Sequence, residues 1–206
     1  MFIVVESIVG GGKKLYKDIA KKLRIDGYKV IDQDFPDRAG LLFEDVIYPT
    51  IHEGVTKSPN QRFLAFLLDQ VAHTERINVF RKKGYVITES YFTGTIAYQV
   101  LYEKAMSVKD ALKVASLVKL PIPDLSIYID TPYEKAKRER ELEGYGDKED
   151  YWGSSIKKLK SIDINYKKMI EQNIFCPWEV VDGKKSKKEI VGDILDIIQK
   201  KFQREV

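Results

Sequence analysis

Phe2-Ile-Val-Val-Glu-Ser-Ile-Val-Gly-Gly-Gly-Lys-Lys14 is the stretch on which the reading of this chain turns. Phe2 to Val5 is an unbroken apolar run with two β-branched valines, the pattern of a strand buried on both faces. Gly10, Gly11 and Gly12 break the run. Behind them Leu15, Ile19 and Leu23 recur every fourth residue, which predicts a helix over 13–26 with Gly27 as its C-terminal cap. Tyr28 to Ile31 reads as a second strand. A strand, a glycine loop, a helix and a strand form a unit that closes by a right-handed crossover.

The same alternation continues outward. Tyr85–Thr88, Leu125–Ile129 and the pair Val180-Val181 read as three more strands. Helices are expected at 41–51 with an interruption at Pro49, and at 63–83 as one long element ended by Gly84. Another is expected at 107–119, capped by Ser107. Thr131-Pro-Tyr-Glu134 has the form of a capping box with proline at the first helical position. Ser186-Lys-Lys-Glu189 is a second box, opening a terminal helix with Ile190, Ile194, Ile197 and Ile198 on one face. Strands alternating with helices imply an α/β fold, a parallel sheet covered on both sides, in one domain over residues 1–206.

Composition narrows the class. With 44% hydrophobic and 32% charged residues the chain is globular. No apolar run approaches the ~18 residues of a membrane span, and the start lacks the form of a secretory signal, so a cytoplasmic location is expected. The net charge of +4 comes from basic residues interleaved with acids, which suits a small anionic substrate and does not suit nucleic acid. Enrichment in Lys, Glu and Ile hints at a heat-adapted source. The single cysteine, Cys176, allows no intrachain disulfide and reads as a small packed residue. His52 and His73 show no metal-ligand spacing.

The opening loop carries the chemistry. Successive glycines let backbone N–H groups turn inward to cradle an anion, and the helix behind them points its positive end at the same place. Ser7 through Lys14 is close to G-x-x-x-x-G-K-[ST], with Lys13 placed to reach terminal phosphate oxygens. It departs twice. Ser7 stands for the first glycine, and Lys14 stands where a hydroxyl would hold Mg²⁺. An ammonium cannot ligate a cation, so either the metal has another anchor or Lys14 supplies positive charge itself. A tight glycine turn without a ligand is the plainer alternative.

Further motifs come in order along the chain: Phe35-Pro-Asp-Arg38, Ala97-Tyr-Gln99, Leu120-Pro-Ile-Pro-Asp-Leu125 and Val181-Asp-Gly183. Together with the loop they resemble the thymidylate kinase family of P-loop nucleoside monophosphate kinases over nearly the whole chain. The resemblance implies a P-loop NTPase-type three-layer α/β/α fold with a five-stranded parallel sheet, a small helical lid at roughly 137–153, and a homodimer. It implies ATP as phosphoryl donor with Mg²⁺, bound by Ser7, Gly10, Gly11, Gly12, Lys13 and Lys14, with Glu89 on the metal side. It implies an acceptor, most simply dTMP, held by Arg38, Phe66, Gln70, Ser90 and Tyr98. Lys13, Arg38, Arg138 and Arg140 would carry catalysis.

Several of these residues keep plainer alternatives: Phe66 as core, Arg138 and Arg140 as a solvated helix face. The family pattern is also altered. Val9 stands for an aspartate, Gln70 for an arginine, Glu89-Ser90 for an Asp-Arg pair and Gly94 for a serine. Two rival readings therefore stand beside dTMP phosphorylation: a kinase for a neutral acceptor such as a deoxynucleoside, and a non-catalytic nucleotide-binding paralogue.

Overall fold

The structure is a computed structural model that describes residues 1–40, 42–50, 58–142 and 156–202, and the backbone alone of Lys13. Five strands form one sheet: β1 (Phe2–Glu6), β2 (Val30–Asp34), β3 (Tyr85–Glu89), β4 (Leu125–Asp130) and β5 (Trp178–Asp182). Their order is β2-β3-β1-β4-β5, and every neighbouring pair is parallel. All five lie where apolar runs place them. β2 begins two residues later than expected and extends to Asp34, which brings two acids to its end.

Strand residues alternate between two faces, and each face has its own helices. Ile3 and Val5 pack with α1 (Tyr16–Ile25) and α8 (Lys187–Phe202). Phe2 and Val4 pack on the other side, under α2 (Pro59–Ala72), α3 (Thr74–Phe80), α4 (Phe92–Thr95), α5 (Val108–Leu117) and α7 (Ile156–Glu171). α6 (Tyr133–Leu142) comes after β4. β1 is buried along its whole length, as a strand central to two covered faces must be.

Four helix expectations change. Residues 13–15 form a 3-10 turn, so α1 starts at Tyr16. The long helix breaks at His73 (φ −98°, ψ 0°) into α2 and α3, and the His73 side chain pairs there with Asp37. Thr131 does not act as a simple cap: its hydroxyl donates to the Gly11 carbonyl at 2.5 Å. The boxes at Ser107 and Ser186 form as expected. Asp110 N donates to Ser107 Oγ at 3.1 Å, and Ser186 N to Glu189 Oε2 at 2.9 Å. Around Pro49 the chain stays helical through 42–50, with π geometry over Phe43–Ile47. α7 has no counterpart among the sequence expectations.

Candidate functional site

β1 and β3 send their connections to opposite sides, and in open α/β sheets that arrangement marks the carboxyl edge beside β1 as the usual ligand crevice. The glycine loop sits there. Gly11 N donates to Ile8 O at 2.7 Å, closing a tight turn. Gly10 (φ +77°) and Gly12 (φ +103°) adopt backbone that side chains resist. Ser7 is fully buried and donates to Ile129 O at 3.0 Å, so it ties the loop to β4. A Cβ on Gly11 would lie 1.8 Å from Ser7 Oγ. The Gly11 amide is therefore committed to the turn. The Lys13 side chain lies outside the described residues, and Lys14 is exposed at the start of the helical segment.

α6 closes over the same loop. A Cβ on Gly10 would meet Ala136 O at 2.3 Å and Arg140 Cγ at 2.7 Å. Arg140 is buried against the turn, whereas Arg138, two positions earlier, is exposed. Two residues on a helix point about 200° apart, so the loop meets only one of the two arginines. Residues 143–153 of the expected lid lie outside the described residues.

A second group of candidate residues lies at the ends of β2 and β3. Asp34 and Glu89 are register partners at the strand ends, and Phe35 N donates to Glu89 O at 3.0 Å. The Tyr16 phenol is raised above its usual range by burial first, then by Asp34, Glu89 and Asp32; Arg38 opposes them. Arg38, an exposed side chain, therefore acts on the same phenol as Asp34 and Glu89. Asp69, on α2, is buried and accepts from Asp37 N at 3.1 Å. Burial pushes its carboxyl up to about 6, with Asp37 and Asp34 adding to the rise and the Asp37 amide opposing it. His73 is held below its usual range, chiefly by burial, with Asp37 pulling the other way.

The other acceptor-side candidates are buried. Phe66 and Tyr98 belong to the core beneath the sheet. Gln70 donates to Thr95 Oγ1 at 2.9 Å, and its Oε1 is buried without a hydrogen-bonding partner. Ser90 turns away from the crevice, donating to Glu6 Oε2 at 3.2 Å. A Cβ on Gly94 would lie 2.3 Å from Ser90 Oγ, so the hydroxyl of Ser90 occupies the space that a side chain at position 94 would need.

Sequence reasoning missed the polar framework under these residues. Glu6, fully buried, accepts from Tyr91 N at 3.2 Å, Thr93 Oγ1 at 2.6 Å and Tyr166 OH at 2.8 Å as well as from Ser90. Tyr166 stacks on Tyr128 (4.8 Å between centroids), and Tyr128 OH donates to the buried Asp163 at 2.7 Å. Tyr133 OH and Lys167 Nζ reach the other Asp163 oxygen at 2.7 and 3.0 Å. The signals were present: a carboxylate ending an apolar strand, and Leu159, Ile162, Tyr166 and Met169 at helical spacing.

Cys176 packs against Ser126 Oγ at 3.0 Å, and burial pushes its thiol up to about 12, in keeping with a packed residue. Among the described residues no three His, Cys, Asp or Glu side chains converge as metal ligands. Glu89 and Asp34, as register partners on neighbouring parallel strands, stand side by side at the strand ends. Among the described residues no helix is long and apolar enough to cross a membrane. No protein-family model matches the chain, and no curated protein matches it.

Proposed function

We propose that this chain is a P-loop nucleoside monophosphate kinase of the thymidylate kinase type, transferring the γ-phosphoryl of ATP to a deoxynucleoside monophosphate, most simply dTMP. One observation carries the reading: a strand–glycine turn–helix unit at the carboxyl edge of a parallel β2-β3-β1-β4-β5 sheet, with Arg140 packed on the turn. On this reading the loop and Lys13 bind the donor phosphates, and Arg140 neutralises charge on the moving phosphoryl group. Arg38 pairs two oxygens of the acceptor monophosphate through its planar fork. Mg²⁺, when bound, would add charge neutralisation between the phosphates, with Glu89 holding it through water. An acceptor phosphate oxygen attacks the γ-phosphorus in line, and ADP leaves. A cytoplasmic homodimer belongs to the same reading; Leu64 and Leu68, exposed one turn apart on α2, are the apolar surface that a second copy would cover.

Calorimetry with ATP and dTMP, then a coupled turnover assay, tests it. Binding of both nucleotides with turnover is expected, and Lys13→Ala should weaken ATP binding by about ten- to a hundred-fold, the worth of a charged hydrogen bond. Absence of ATP binding sinks the reading. A second reading, nucleotide binding without turnover, is favoured by the commitment of the Ser90 hydroxyl to Glu6 and by Lys14 at the metal-side position. Binding without turnover selects it. Turnover on deoxynucleosides alone selects the neutral-acceptor kinase.

A further inference from the structure

Arg38 sits on a segment that leaves β2 and must be held still if its guanidinium is to meet a phosphate. Phe35 is fastened to the sheet through its amide. The next fastening is Asp37, and it comes from α2. Asp69 Oδ2 accepts from the Asp37 amide at 3.1 Å, and His73 Nε2, one helical turn further on, donates to Asp37 Oδ2 at 3.1 Å. Asp37 in turn organises the two residues beyond Arg38: its Oδ1 accepts from Ala39 N at 3.1 Å, and its carbonyl accepts from Gly40 N at 3.0 Å. The Phe35 ring packs edge-on to the His73 ring at 5.3 Å. On one side of Arg38, Asp37 is thus tied to α2 and its end, and on the other side Ala39 and Gly40 are tied to Asp37.

The choice of a carboxylate here is unfavourable for folding alone. Asp69 is 2% exposed, and Asp37 and Asp34 both face it from the β2 side. From the helix side the neighbouring charge is Arg76, which acts on His73 and whose guanidinium donates to Gln33 at 2.9 Å. A neutral amide would accept the Asp37 hydrogen bond without burying a charge among like charges. We propose that Asp69, with His73, is a positioning residue: it clamps Asp37 so that Arg38 is presented to the phosphate of the acceptor. The proposal rests on the role given to Arg38 under the proposed function.

Since a carboxylate is a stronger acceptor than its protonated form, the clamp slackens as the pH falls through about 6, the value to which Asp69 is pushed. The proton that His73 gains at lower pH pulls Asp37 the opposite way. The test compares wild type, Asp69→Ala and Asp69→Asn in two measurements. Amide hydrogen exchange over residues 36–40, without nucleotide, reads the clamp. Calorimetry with dTMP and with ATP, at about pH 5 and about pH 7.5, reads its consequence.

Asp69→Ala is expected to speed exchange at Asp37 and to weaken dTMP binding about ten-fold, the worth of a hydrogen bond, leaving ATP binding unchanged. Asp69→Asn should restore most of the exchange protection and make the loss of dTMP affinity between the two pH values smaller than in wild type, the remainder belonging to His73 and to the second ionisation of the phosphate near pH 6. Unchanged exchange in Asp69→Ala overturns the clamp. Faster exchange with unchanged dTMP affinity overturns its purpose. Weakened ATP binding in step with dTMP shows general damage and overturns it too. A wild type that fails to bind dTMP overturns the kinase reading itself, and is told apart because the failure is present before any substitution.

Discussion

Ser90 holds a left-handed backbone (φ 59°) with its hydroxyl on Glu6, and Gly94 leaves the space that hydroxyl fills. Gly94→Ala should therefore be destabilising in wild type, by about 1–3 kcal/mol as for other overpacked sites. In a Ser90→Ala background, where the clashing oxygen is gone, the cost should largely vanish. Urea unfolding of the four species measures the coupling; additive effects would show that the two positions do not share space. Asp69 gives a pH-dependent counterpart. Its folded pKa of about 6 lies above the usual carboxyl value, so between about pH 4 and pH 6 the folded chain holds a proton that the unfolded chain has lost. Its contribution to stability is present at low pH and is lost as the pH rises through 6. Asp69→Asn removes the dependence. Relative to wild type, that variant should gain about 1 kcal/mol between about pH 5 and about pH 7.5, read by denaturant midpoints. A difference that does not change with pH would be the contrary result.

The elements divide into those that local pattern decides and those that distant contacts decide. The five strands are legible because buried parallel strands must be apolar runs, and these runs are bounded by glycine, proline and charged residues. The two serine caps are legible because a capping box is a local contact. The helix over 63–83 is misread because it breaks at His73, where the side chain meets Asp37, a residue that only the fold brings near. The partners of Gln70 and Ser90 are hidden from the sequence for the same reason. Their side chains find Thr95 and Glu6 inside the protein, and no spacing in the sequence announces it.

The contact of the glycine loop with α6 is a prediction at this scale. Gly10→Ala would drive a methyl into the Ala136 carbonyl at a backbone angle unsuited to alanine, so α6 must move off the loop. ATP affinity should fall and the melting temperature drop by several degrees, about what 1–2 kcal/mol produces in a domain of this size. Unchanged ATP affinity would separate α6 from the donor site.

At the scale of the whole molecule, the loop is joined to nearly every layer. Ser7 ties it to β4, Thr131 ties Gly11 to the start of α6, and Glu6 ties the preceding strand to α7. A ligand seated on such a junction stabilises the entire fold by mass action. ATP at a hundred times its dissociation constant should add about 2.7 kcal/mol, visible as a rise in melting temperature. A melt that does not respond to ATP would place the loop outside any nucleotide site. Sedimentation of the chain at micromolar concentration addresses the second copy; a monomer, or a dimer unaffected by Leu64→Lys with Leu68→Lys, removes α2 from that role.

The stacked rings beneath β1 give the loop an optical handle. Trp178 lies edge-on to Tyr166 at 6.3 Å, and the Tyr166 hydroxyl ends on the carboxylate immediately before Ser7. An indole this close collects excitation from its phenol neighbour and senses any shift of it. With Trp152 replaced by phenylalanine, the emission of the one remaining tryptophan would track events beside the loop, and a titration could be watched without attaching a dye.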